Sequence, residues 1–239
     1  MRMLTRAGVE TPRQDAQALL AHATRTGEPP IRLLERRAAR EPLAYIIGRC
    51  EFCGLDLIVD SRVLVPTEGR TGTLVAAALD LQRGARLHEV GTGSGAVALA
   101  VKSKRPDLVV TASDISADAV AVARENARLL DLDVAIWQAD GLPPGHYDLV
   151  LANLPYTDSE QATQTLPPEE GLFQPGVALW AGADSLGLIR RLIQQAPTGA
   201  LLALEHAPHH TPAMHRLLRT ARTLRDDRGD ERVTIGRVS

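Results

Sequence analysis

The stretch Leu87-His88-Glu89-Val90-Gly91-Thr92-Gly93-Ser94-Gly95 decides the fold. A short apolar run gives way to alternating glycines, and Ala96–Lys104 then carries a helical pattern. Strand, glycine turn and helix together open a βαβ unit, whose bare backbone lets a ligand approach closely. Working outward, the pattern predicts further strands over Leu108–Ala112, Val134–Trp137, Asp148–Ala152 and Ala200–Leu204. It predicts helices over Ala117–Leu130, Ser185–Gln195 and Pro212–Ala221. Short apolar strands between helices imply an α/β fold, with a doubly wound, mostly parallel sheet. Thr223-Leu224-Arg225, a polar turn through Asp230 and Arg232-Val233-Thr234-Ile235-Gly236 read as a C-terminal antiparallel hairpin.

Upstream the pattern changes. Asp15–Ala21 is amphipathic, and Ile31, Leu33 and Leu34 suit a second helix after the break Gly27-Glu28-Pro29-Pro30. Phe52–Val65, with turn signals at Gly54 and Asp60-Ser61, reads as a β-hairpin. The expected organisation is a small helical N-terminal domain over residues 1–42, a linking β-hairpin over 43–66 and the sheet domain over 67–239.

Composition narrows the function. The chain has 239 residues, 44% of them hydrophobic, enough for one α/β domain with a small appendage. Lys and Arg number 27 against 29 Asp and Glu, so the net charge of −2 gives no global footprint for nucleic acid. Arg32, Arg36, Arg37 and Arg40 form a local basic group, read as a solvated helix face in preference to a binding patch. Cys50 and Cys53 make a lone pair with no second pair to complete a zinc site, so no metal is expected. His206, His209, His210 and His215 read as a polar loop entering a helix. No leader is visible and no apolar run reaches the ~20 residues of a membrane span. The expectation is therefore a cytoplasmic protein, without stable nucleic-acid binding, and by default a monomer.

The glycine loop admits two cofactors. Gly91, Gly93 and Ala96 fit a dinucleotide pattern; Gly91, Gly93 and Gly95, with Glu89 ahead, fit an S-adenosylmethionine pattern. Asp114 closes the second strand, where a carboxylate accepts from ribose hydroxyls; a helix cap is its competing role. Asp140, after the third strand, suits an adenine amine or a plain loop. Asn153-Leu154-Pro155-Tyr156 separates the two cofactors. It follows the buried run ending at Ala152, on the sheet edge where such folds bind ligands. The Asn153 oxygen can accept one N–H of a planar –NH2 group and a neighbouring carbonyl the other. Pro155 stiffens the backbone, and Tyr156 offers a flat face. That grip presents a nitrogen to a methyl donor and has no task in hydride transfer.

These residues carry a resemblance to the HemK/PrmC-type release-factor glutamine methyltransferases, which are class I S-adenosylmethionine-dependent enzymes with a Rossmann-like fold. The stretches that resemble the family are Arg40–Gly48, Glu51–Leu55, Val59–Pro66, Gly91–Gly95, Asp114–Ser116, Asn153–Tyr156, Leu166–Glu169, Gly182–Asp184, Leu201–Glu205 and Arg232–Arg237. The resemblance implies methylation of the glutamine in the Gly-Gly-Gln motif of peptide-chain release factors, with the helical N-terminal domain helping to dock the factor. It implies that Glu89, Gly91, Thr92, Gly93, Gly95, Asp114, Ile115, Asp140 and Asn153 hold the cofactor. Asn153 and the Leu154 carbonyl, with Pro155 and Tyr156, hold the target amide. Leu154 stands where the family pattern has proline. Two alternatives remain: amine methylation of a nucleobase, with Tyr156 stacking on it, and a non-catalytic relative that binds the translation machinery.

Overall fold

The computed structural model describes residues 1–157 and 166–239. Four helices open it: α1 (Arg2–Arg6), α2 (Pro12–Thr26), α3 (Pro30–Ala38) and α4 (Leu43–Ile47). Proline at the first position starts both α2 and α3, where the missing N–H costs nothing. Gly27, at φ +78°, closes α2 by donating to the Ala23 carbonyl. The inner faces meet through Leu19, Ala23, Leu33 and Ile46, and a buried ion pair, Arg37 to Asp15 at 2.7 Å, ties α3 to α2.

The hairpin follows, earlier and shorter than the sequence suggested. It is β1 (Arg49–Phe52) against β2 (Leu55–Ile58), turning at Cys53 (φ +51°) and Gly54 (φ +83°). Two positive φ values are what a tight two-residue hairpin loop requires. Asp60-Ser61 is indeed a turn, outside the hairpin: the Asp60 carboxylate accepts from the Arg62 backbone and guanidinium.

A helix the sequence reading did not assign, α5 (Glu68–Ala78), leads into the sheet; Gly69 and Gly72 dilute its helical signal. Then come β3 (Arg86–Val90), α6 (Ala96–Lys104), β4 (Val109–Asp114), α7 (Ala117–Leu129), β5 (Ala135–Gln138) and β6 (Leu149–Ala152). After the undescribed residues come α8 (Pro168–Phe173), α9 (Gly176–Leu179), α10 (Gly187–Gln195), β7 (Leu201–Glu205), α11 (Thr211–Leu217), β8 (Arg219–Arg225) and β9 (Glu231–Arg237). The sheet order is β5-β4-β3-β6-β7-β9-β8, with β3 to β7 parallel and β9 antiparallel to both neighbours. This is the doubly wound sheet with a terminal hairpin that the sequence predicted. Both faces are covered: Leu149 and Leu151 pack with α5 and α6 residues on one side, Val150 and Ala152 with Leu192 and Met214 on the other.

One boundary moved for a tertiary reason. The helix expected over Pro212–Ala221 ends at Leu217, and Arg219 already pairs with Arg237 through an irregular β8–β9 ladder. Sheet pairing overrides the weak local helix preference there. Strand order reverses between β3 and β6, so the loops leaving these two strands share one crevice.

Candidate active site

The first of those loops is the glycine turn. Gly91, Gly93 and Gly95 all have positive φ, at +73°, +55° and +83°. The Gly91 and Thr92 N–H groups donate to the Ser113 carbonyl at 2.8 and 3.0 Å, holding the loop against β4. A Cβ on Gly91 would meet Leu154 Cδ2 at 3.0 Å, so glycine here lets the two crevice loops touch. Leu154 packs on the Val150 side of the core, which gives the residue at the family's proline position a packing role.

Glu89 lies beneath the loop, 2% exposed. Its Oε2 accepts from Thr92 Oγ1 at 2.6 Å and from the Ala98 N–H at 2.9 Å, stapling the loop to α6. Burial pushes its pKa up to about 8, against the pull of those two hydrogen bonds. Its neighbour His88, between Thr111 and Ser113, is held down to about 4 by burial.

Asp114 faces both its neighbours. Oδ2 accepts from the Gly93 N–H and Oδ1 from the Ser116 N–H, each at 2.9 Å. The cap of α7 is Ser116, whose hydroxyl accepts from the Ala119 N–H at 3.2 Å. Capping is therefore not what occupies Asp114. Ile115, about half exposed, follows it. Asp140 is ion-paired with Arg191 of α10 at 2.6 Å, a partner sequence reading did not supply. A cavity of about 320 Å³ brings Glu89, Gly91–Gly93, Asp114, Ile115 and Asp140 together with Asn153–Pro155; Gly95 stands just behind it, at the start of α6.

The second loop, Asn153–Tyr156, leaves β6. Asn153, Leu154 and Pro155 line the cavity and also a larger cleft of about 810 Å³ on their other side. Tyr156 belongs to the cleft alone, with its hydroxyl donating to Glu205 Oε1 at 3.3 Å and its ring edge-on to His210. Burial and the adjacent Glu205 raise the Tyr156 phenol pKa, so it stays protonated. Residues of α3 and α4, the 64–71 segment and α8 complete the cleft.

One other reading changes. Arg37 and Arg40 are neither a solvated face nor a free patch: both grip Glu169 of α8, at 2.9 and 2.6 Å, while Arg36 pairs with Glu41. His206, His209 and His210 do lie in the loop that enters α11, with His206 and His210 buried there and His206 bonding to Thr234 at 2.7 Å. The free cysteines have raised pKa values, Cys50 at about 11, as burial of a thiol dictates. Among the described residues no three His, Cys, Asp or Glu side chains are placed to hold a metal, and no helix is long and apolar enough to cross a membrane.

Comparison with known proteins agrees with this geometry. Residues 70–169 match the methyltransferase small domain model. The release factor glutamine methyltransferase of Deinococcus radiodurans is 37% identical over 244 residues, covering 91% of this chain and 87% of that one. The chain belongs to the release factor glutamine methyltransferase family. The Escherichia coli K12 member is 33% identical, covering 95% and 93% of the two chains. Among solved structures, the human Mettl16 catalytic domain in complex with the MAT2A 3′UTR hairpin 6 aligns with a TM-score of 0.62 over 87% of this chain and 82% of that one. At 16% identity that likeness concerns the fold. As a family member the protein is a methyltransferase that uses S-adenosylmethionine, and the cavity suits that cofactor. Its glycine loop leaves bare backbone at Gly93, where an added Cβ meets nothing within 4 Å. A carboxylate, Asp114, stands at its strand end, and Val97 and Ile115 supply apolar walls.

Proposed function

We propose that this protein methylates the side-chain amide nitrogen of the glutamine in the Gly-Gly-Gln motif of peptide-chain release factors. The observation that carries the reading is the shared wall: Asn153, Leu154 and Pro155 border both the cofactor cavity and the cleft. When bound, S-adenosylmethionine supplies an electrophilic methyl group on the cavity side. The chain's own residues do the positioning. Gly91, Thr92, Gly93 and Gly95 shape the loop under the cofactor, Glu89 braces that loop, and Asp114, Ile115 and Asp140 take the ribose and adenine. From the wall, the Asn153 oxygen and the Leu154 carbonyl accept the two N–H groups of the target amide, with Tyr156 packed beside it. Drawing both protons into hydrogen bonds aims the nitrogen lone pair at the methyl group. Residues 1–42 help dock the factor, 43–66 link, and 67–239 carry the transfer. The Arg37 and Arg40 pairs to Glu169 support that division by joining the helices to the cleft. We further place the protein in the cytoplasm as a monomer, and the net charge of −2 supports the absence of stable nucleic-acid binding.

The test incubates the protein with methyl-labelled S-adenosylmethionine and, separately, a release factor, duplex DNA and ribosomal RNA. Label on the Gly-Gly-Gln glutamine is expected. Label confined to nucleic acid overturns the substrate, and no label anywhere favours a non-catalytic relative.

A further inference from the structure

Glu205 is a buried carboxylate that the proposed grip leaves unused. It ends β7, and the register pairs Ala152 with Leu204, so the next residues along the two parallel strands are Asn153 and Glu205. The side chain is 2% exposed and lines the acceptor cleft. Oε1 accepts from Tyr156 and the Thr71 hydroxyl stands against the carboxylate, while buried Oε2 makes no well-formed hydrogen bond among the described residues. Nor does Glu205 make an ion pair among those residues. Arg70 and Arg232 act on it from further off, and their close partners are Glu170 and Asp226. Burial raises its pKa, and those two guanidinium groups with the Thr71 and Tyr156 hydroxyls pull toward the anion. An acid held this way costs stability, and an apolar residue would avoid that cost.

The acceptor poses a problem that such an acid solves. Glutamine and glutamate side chains have the same shape, so a well-fitted pocket does not separate them. Asn153 does not separate them, because its carboxamide carries both a donor and an acceptor and turns to present whichever is needed, which leaves the acceptor-only Leu154 carbonyl as the one discriminating group of the grip. A carboxylate in the cleft wall adds to that discrimination whenever it is ionised, since a second carboxylate in a low-dielectric site is strongly disfavoured.

We propose that Glu205 sharpens acceptor specificity beyond what the Leu154 carbonyl supplies, favouring a neutral carboxamide in the cleft over a carboxylate of the same shape, while its hold on the Tyr156 hydroxyl keeps that ring in the wall. The inference rests on the glutamine reading above. It is tested by binding, with transfer as a separate readout. Calorimetry compares a release factor with its variant carrying glutamate in place of the Gly-Gly-Gln glutamine, against wild type and Glu205→Gln. Wild type is expected to favour the glutamine form by about 100-fold. Glu205→Gln should narrow that preference to about tenfold or less, with S-adenosylmethionine affinity unchanged. An unchanged preference in folded Glu205→Gln overturns the inference. A purely structural carboxylate would shift the melting temperature and leave the preference intact. Should Glu205→Gln not fold, Glu205→Asp keeps the charge and is expected to keep the preference; losing it there overturns the inference equally. If wild type transfers no label to the factor, the glutamine reading falls and takes this inference with it. If transfer occurs and the preference does not respond to Glu205, this inference falls alone.

Discussion

The two sides of the Asn153–Pro155 wall are built in opposite ways. The largest share of the cofactor cavity comes from one continuous run, β3 through Asp140, with Gly93, Asp114 and Ser116 hydrogen-bonded in sequence order, and the 62–71 segment, α9 and α10 close it. The acceptor cleft comes from α3 and α4, the 64–71 segment, Asn153–Thr157, α8 and Glu205. Its internal ties span great sequence distances, as when Arg40 reaches Glu169 and Tyr156 reaches Glu205. A site whose frame is consecutive βα units is set largely by local backbone geometry, whereas a site assembled from scattered pieces depends on the whole fold closing correctly.

If the two sides are separable, each should fail alone. Asn153→Ala should lower methyl transfer by ~10²-fold or more, by analogy with losing one oriented polar group from an active site. Its S-adenosylmethionine affinity, read by calorimetry, should hold; a parallel loss of both would merge the two sites. Asp114→Ala should do the reverse. It should weaken S-adenosylmethionine binding ~10–100-fold, the scale for hydrogen bonds to a charged group. Transfer at saturating cofactor should stay within a few-fold.

The smallest effect concerns stability. The folded pKa of Glu89 is about 8 against an ordinary value of 4.5, so the folded state keeps a proton that the unfolded chain has released. Stability from this group is fully present below pH 4.5 and is lost as pH rises through 8. His88, lowered from 6.5 to about 4, works in the opposite direction, so the two offset between about pH 4.5 and 6.5. Above that window Glu89 acts alone. The unfolding free energy should fall by ~2 kcal/mol between about pH 6.5 and 8, and Glu89→Gln should flatten that slope. Urea titrations across this range give the measurement; an undiminished slope in the variant would assign it to another group.

This contrast also accounts for what sequence alone could supply. The glycine loop, Asp114 and the Asn153–Tyr156 tetrapeptide were legible because each sits at a strand end whose apolar run is short and unambiguous. Glu205 obeys the same rule, directly after Leu201–Leu204, and an acid ending a buried strand was the available signal. The strand Ala200–Leu204 was legible, while Glu205 itself entered only within a resemblance. The partnership of Arg37 and Arg40 with Glu169 left no local trace, because a charge run looks the same whether it faces water or a carboxylate more than a hundred residues away. The hairpin shift and the early end of α11 have a similar origin, since strand pairing settled boundaries that local pattern leaves open.

β9 is made after every other strand of the sheet, yet it lies inside, between β7 and β8. Until it arrives, β7 has an unpaired edge on the side opposite β6, with the backbone beneath Glu205 open to other chains. A chain emerging from the ribosome thus has every residue of the glycine loop and Asp114 long before the wall behind the acceptor is braced. Synthesis order therefore leaves the edge of β7 beside Glu205 as the last part of the sheet to be closed.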